Sequence, residues 1–246
     1  MTQGELYEAI FRRKSVREYA PGPLDAGILF EMTSFMRGLK TAFSGIRTEV
    51  RVMTNADVRG LFKVDAPHFL VMFSEAKDGY LTNAGFMLQQ MDLFLSAKGI
   101  GSCWQGGPKL TRKATRLSDL GFVTSIAFGS PVGDIHRKNL SEFERKPLAK
   151  ITDIEGHDDL LEAARLAPSA ANNQPWYFTG GNGVIHVHSA RSLVLDRMNR
   201  ISSGIALCHL WLAAVHSGGT PEISIGESRE ASSPKGYSYV ASMTTR

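Results

Sequence analysis

Cysteine is nearly absent: Cys103 and Cys208 are the only two in 246 residues. Two thiols cannot form a disulfide framework, and their neighbours read as helix and turn, not as metal-binding loops. Long apolar runs are also missing. No stretch reaches the roughly 18 uninterrupted apolar residues of a membrane-spanning helix. Ten Pro and 24 Gly are too few for a collagen-like or low-complexity chain. Neither charge sign dominates, since 28 Lys and Arg against 24 Asp and Glu leave only +4. That excess is weak for a nucleic-acid binder, whose cations lie in dense patches, and an anionic small molecule explains it equally well. Glu5 and Glu8 precede any apolar block, unlike a signal peptide, so the expected location is cytoplasmic.

What is present is enough apolar side chain (43%) to build a real core, as one large domain or two small ones. Leu6, Ile10 and Phe11 predict an amphipathic helix that runs into a basic segment ending at Arg17. Pro21-Gly22-Pro23 breaks the chain before a second helix near Asp25. Segments 49–54 and 68–73 predict strands. Residues 80–98 predict a helix apolar nearly all round, which must be buried, and Gly99 ends it. Residues 101–108 then read as a turn, followed by a short basic helix and a strand at 122–128. The second half predicts a helix at 158–167, strands at 175–179 and 183–188, and a second all-round apolar helix at 199–217. Gly85 and Gly204, Leu88 and Leu207, Leu93 and Leu212, and Gly99 and Gly218 share a constant separation of 119 residues. That register suggests an internal duplication.

Two segments carry chemistry. Arg13-Lys14-Ser15-Val16-Arg17 gathers cations and a hydroxyl suited to a terminal phosphate, or else forms a solvated basic turn. Pro168-Ser169-Ala170-Ala171-Asn172-Asn173-Gln174-Pro175-Trp176 is a stiff loop rich in amides. It suits the polar edge of a flat heterocycle, or else merely caps a helix.

Together these segments resemble the FMN-dependent nitroreductase family, which has an Arg-Arg-Ser-x-Arg signature and a Pro-Ser-Ser-x-Asn-x-Gln-Pro-Trp loop. Gly99 to Gly107 is similar to that family's turn after its long central helix, and Ala127 to Pro131 with His136-Arg137-Lys138 to its last strand and basic tail. The order departs from the family's, because the Pro-Ser loop lies in the second half, after a degenerate basic signature, Arg145-Lys146-Pro147. Ordinary members are homodimers in which this loop crosses to the partner. The resemblance therefore implies an α+β, nitroreductase-like fold: two half-repeats, residues 1–143 and 144–246, form an internal pseudo-dimer with a mostly antiparallel sheet pair around long central helices.

By that resemblance Arg13, Lys14 and Ser15 would hold the phosphate of one FMN, with Arg137 or Lys138 and with Arg17. Ser169, Ala170 and Asn172 would face the ring or ribityl chain, and Gln105 and Gly106 would place backbone near the flavin N5. Pro147 removes a hydroxyl and a backbone donor, so the second signature should not form a second phosphate site. The implied activity is ping-pong transfer from NAD(P)H through FMN to a small acceptor such as a nitroaromatic or quinone, with no indispensable catalytic side chain. The alternative is an FMN-binding protein for storage or sensing. A monomer is expected, without nucleic-acid or membrane partners. A third reading, nucleic-acid binding, rests on Lys109, Arg112, Lys113 and Arg116 as one basic helical face. His186 and His188 share a strand face without a third metal ligand, and no metal is expected. His209 and His216 read as packing residues, and Cys103 as structural. Residues 219–236 read as a lid or a loop.

Overall fold

The computed structural model describes residues 1–225 and 233–245. Helix α1 (Gln3–Ile10) opens with a reciprocal cap, in which the Thr2 hydroxyl accepts from the Glu5 N–H and the Glu5 carboxylate accepts from the Thr2 N–H. It stops well before Arg17, so the basic segment is extended chain. Helix α2 (Ala26–Met36) starts on the Asp25 carboxylate, which accepts from the Gly27 N–H. Then follow β1 (Thr48–Thr54), β2 (Val58–Arg59), β3 (His68–Ser74), α3 (Tyr80–Ala97), β4 (Gly101–Gln105), β5 (Lys109–Leu110), α4 (Arg112–Thr115) and β6 (Gly121–Gly129). The second half supplies α5 (Asp158–Arg165), β7 (Trp176–Gly181), β8 (Val184–Ala190), α6 (Asp196–His216), β9 (Ile223–Ser224) and β10 (Tyr237–Thr244).

Two four-stranded antiparallel sheets result, ordered β1-β3-β6-β4 and β7-β8-β10-β9. Counting only the strands of these two sheets, each half runs in chain order strand, strand, long helix, strand, strand, and the two sheets join equivalent strands in the same spatial order. One apolar core runs from Leu6 to Met243 and contains both long helices, so the halves do not have separate interiors. β3 is buried on both faces. Leu70 and Met72 enter that core, while Phe69, Val71 and Phe73 enter a smaller cluster with Leu110 and Ala114 under the β2–β5 ribbon and α4.

Helices α3 and α6 meet at their glycines. A Cβ on Gly85 would fall 2.0 Å from the Ile201 carbonyl oxygen, and one on Gly204 would fall 2.0 Å from that of Thr82. The contact is reciprocal at the separation of 119 residues, because Ile201 and Thr82 are related by the same interval. The relation extends to the loops. The Asn83 side chain accepts from the Ala42 N–H at 2.9 Å, and Ser202, 119 residues later, accepts from the Ala170 N–H at 3.4 Å.

Three expectations need correction. Residues 101–105 form strand β4 along β6; both of its faces are covered, so no alternating pattern marks it as a strand. The basic helix is a single turn, and Lys109 lies in β5, so the four cations do not form one helical face. The expected lid at 219–236 contains β9, while its residues 226–232 lie outside those described; the strand that follows, β10, was not anticipated.

Candidate functional site

The basic segment after α1 is threaded between two neighbours. The Val16 N–H donates to the Ser102 carbonyl at 2.8 Å, and the Arg137 N–H to that of Arg12 at 2.7 Å. Arg13 points inward. Its Nε lies 3.0 Å from the Asp92 carboxylate, both side chains being essentially inaccessible, although the N–H does not line up as a hydrogen bond. Its Nη2 reaches the Ser15 hydroxyl at 3.2 Å. Asp92 also accepts from the Ser102 hydroxyl at 2.6 Å and from Gln89 at 3.3 Å, as a buried carboxylate must if it is to be solvated by the protein.

Further cations converge here. Arg137 donates from Nη1 to the Arg13 carbonyl and from Nε to the Glu142 carbonyl. Arg145 donates to the carbonyls of Ala167 and Leu166, at the open end of α5, and to the Asn172 Oδ1 at 2.7 Å. Both guanidiniums lie over the buried Phe143 ring, at 4.2 and 5.7 Å. Burial first, and then repulsion from Arg13, Arg137 and Arg165, lowers the Arg145 pKa to about 10; burial and Arg13 lower that of Arg137. The resulting cavity, about 370 Å³, is lined by Arg13, Lys14, Ser15, Arg17, Arg137 and Arg145 against Glu142 and Glu144. A cluster whose members disfavour one another's charge is stabilised by an anion.

The loop after Pro168 forms the other wall. Ala171, Asn172 and Gln174 have φ of 50°, 54° and 49°, a left-handed conformation that costs energy in residues other than glycine. Side chains hold it there. The Ser169 hydroxyl accepts from the Gln174 N–H at 2.8 Å, the Gln174 Oε1 from the Lys146 N–H at 2.7 Å, and Lys146 Nζ donates to the Asn173 carbonyl at 2.9 Å. The degenerate signature is thus the brace of this loop.

Ser169 also lines a second, narrow apolar slot of about 50 Å³. Trp104, Gly106 and Thr124 line one side, and Ala170, Met198, Ile201, Ser202 and Ile205 the other. Trp104 Nε1 donates to the Gln89 Oε1 at 3.1 Å, fixing the indole. The Gln89 amide in turn donates to the His209 Nε2 at 2.9 Å, while the His209 Nδ1–H donates to the Ala163 carbonyl at 2.9 Å. Burial pushes the His209 pKa down to about 3, which keeps the ring neutral and supports that tautomer.

Most of the expected residues meet. Arg13, Lys14, Ser15, Arg17, Arg137, Ser169 and Asn172 line the cationic cavity, and Gly106, Ser169 and Ala170 the slot. Lys138 does not: it is exposed outside the cavity, which Arg145 lines instead. Gln105 was expected there by its backbone; its side chain turns away to accept from the Val64 N–H at 3.0 Å, while its carbonyl accepts from the hydroxyl of the slot residue Thr124 at 3.4 Å. Asn172 serves the cationic end, not the slot. Met198, Ile201, Ser202 and Ile205 were missed because their three- and four-residue spacing looks the same as a core stripe. His186 and His188 bond Ser242 and Thr179, and no group of three His, Cys, Asp or Glu among the described residues could hold a metal. Cys103 is buried, which raises its thiol pKa. His216 stacks on Tyr7 at 4.0 Å between ring centres.

Residues 5–214 match the family model described as "Putative TM nitroreductase". The chain belongs to this nitroreductase family. Its fold is similar to a crystal structure described as a putative nitroreductase from Thermotoga maritima, with 22% identity, 98% of this chain and 93% of that one covered, and a TM-score of 0.66. Weaker likenesses include two structures from Clostridium difficile. One is a nitroreductase family protein (17% identity, 63% and 99% covered, TM-score 0.49). The other is an FMN-dependent nitroreductase (14% identity, 56% and 96% covered, TM-score 0.42). No curated protein matches in sequence. Among the described residues of this nitroreductase-family chain, no helix is long and apolar enough to cross a membrane.

Proposed function

We propose that the chain is an FMN-dependent oxidoreductase that moves electrons from NAD(P)H to a small organic acceptor. The observation that carries this reading is that a cationic cavity and an apolar slot share Ser169 in their walls. A group with a phosphate at one end and a flat ring at the other satisfies both. The residues fit it: Lys14, Arg137 and Arg145 would neutralise the phosphate, Ser15 would donate a hydroxyl, and Arg13, already paired with Asp92, would set the shape of the cavity floor. FMN, when bound, supplies the capacity to take up and return a hydride. Trp104, Ile201 and Ile205 exclude water from the slot. Gly106 presents backbone without a Cβ, and a Cβ there would lie 3.3 Å from the Met198 thioether. No side-chain acid, base or nucleophile is assigned a step.

The site draws on both halves: the basic segment, β4 and β6 from the first, the strained loop and α6 from the second. This, the repeated element order and the reciprocal glycine contact support two half-repeats, 1–143 and 144–246, acting as a fused pseudo-dimer within a monomer. They also support one cofactor per chain. Gly79 lies 119 residues before the slot residue Met198, and there the Phe43 ring and the Ile225 side chain crowd in, so that a Cβ would fall 2.7 and 2.6 Å from them. In this reading Phe43 fills the second slot. Titration with FMN should saturate at one equivalent, and the loaded protein should oxidise NAD(P)H only when an acceptor is present. Failure to bind FMN overturns the reading; binding without turnover leaves the storage role.

A further inference from the structure

We propose that the β2–β5 ribbon with α4 is a docking surface for an anionic lipid membrane. Leu61 and Phe62 project from the ribbon's tip 97% and 89% exposed. The tip is not loose. Gly60 lies against Pro108, where a Cβ would come within 3.2 Å of the Pro108 Cα; the Val64 N–H is held by Gln105; and Lys63 Nζ donates to the Asn55 and Val58 carbonyls at 3.1 and 3.0 Å. A braced turn that holds two large apolar side chains in water calls for a partner.

Cations line the same ribbon and the helical turn that follows it. Arg59 and Lys109 are cross-strand neighbours, and Arg112, Lys113 and Arg116 follow on α4 and just beyond it, all five exposed. None forms an ion pair among the described residues. The nearby carboxylates are engaged elsewhere: Asp57 accepts from Thr54, Asp65 from Asn55, and Asp119 pairs with Arg47. An anionic bilayer meets both features at once, with lipid phosphates against the cations and the acyl boundary taking up Leu61 and Phe62. A nucleic acid would use the cations but leave Leu61 in water. Surface attachment of this kind needs no spanning helix.

The test is co-sedimentation of the full chain, supplied with FMN, with vesicles of phosphatidylcholine alone or mixed with phosphatidylglycerol. Partitioning should be at least about tenfold stronger on the anionic vesicles and should fall steeply as salt is added. The double substitution Leu61→Ser with Phe62→Ser, and separately Arg112→Glu with Lys113→Glu, should each reduce it about tenfold. Independently, a Phe62→Trp variant should show an emission blue shift on anionic vesicles that its parent lacks. Equal partitioning on both vesicle types, unchanged partitioning of the serine variant, or no such shift for Phe62→Trp would overturn the proposal. So would tighter binding of the chain to an oligonucleotide than to the anionic vesicles. Acceptor-dependent NAD(P)H oxidation in vesicle-free buffer should be unaffected by the serine pair, which separates failure of docking from failure of the enzymatic reading.

Discussion

Replacing Gly204 by alanine adds one carbon at the tightest approach in the core. The new Cβ would lie 2.0 Å from the Thr82 carbonyl oxygen and 2.8 Å from its carbon. Ordinary contact begins at 3.4 Å, so α3 and α6 must part by about 1.4 Å or bend locally. The obstructing atoms are backbone and cannot rotate aside. Overpacking in cores costs roughly 1–3 kcal/mol, and this geometry belongs at the upper end. Alanine returns up to about 1 kcal/mol of helix propensity, leaving a net loss of about 2 kcal/mol. With a urea slope of about 3 kcal/mol/M for a chain of this size, the denaturation midpoint should fall by about 0.7 M. Gly107→Ala is the control, because nothing lies within 4 Å of its Cβ; it should stay within about 0.5 kcal/mol. Gly85→Ala should match Gly204→Ala, and the double variant should cost less than the sum, because one parting of the helices relieves both clashes. A Gly204→Ala protein as stable as its parent would refute the close crossing and the reciprocal symmetry drawn from it.

Asp92→Ala leaves Arg13 buried without a counter-charge and should cost about 3–5 kcal/mol in urea denaturation. Arg145→Ala should weaken FMN binding by about tenfold to a hundredfold in a flavin-fluorescence titration, whereas Lys138→Ala should change it less than about twofold. Acid should destabilise the fold through His209, whose pKa is about 3 in the fold against an ordinary 6.5. Between those values the unfolded chain binds the extra proton, so stability falls as pH drops below about 6.5, by up to about 1.4 kcal/mol per pH unit, and levels off near pH 3. His188, near 4, adds to the slope over most of the same range. Thermal melts across pH 4–7 should show His209→Gln with a shallower dependence than its parent.

Much of the candidate site was legible because its residues sit in short, dense segments. Arg13 to Arg17 and Pro168 to Trp176 each place several polar groups within a few residues, and chain stiffness keeps such groups together. Arg145 was not expected in the cationic cavity, because its place there depends on Leu166, Ala167 and Asn172, contacts no local pattern announces. Lys138 was overvalued for the converse reason: one residue past Arg137, its side chain already points to solvent. The strand at Gly101–Gln105 was hidden by burial on both faces, which erases the period-two signal.

The sequence by itself determined the two buried helices, because an all-round apolar surface has nowhere to go but inside. It also determined their register, because only glycine lets two helix backbones approach so closely. What only the tertiary structure decided is which cations meet. Arg13 turns inward to Asp92, while Arg145, from the far side of the chain's midpoint, takes its place beside Arg137 above one phenylalanine ring. Charges attract and repel through space, and a deciding partner of each guanidinium lies tens of residues away: Asp92 for Arg13, the Arg13 carbonyl for Arg137, and the Ala167 carbonyl for Arg145.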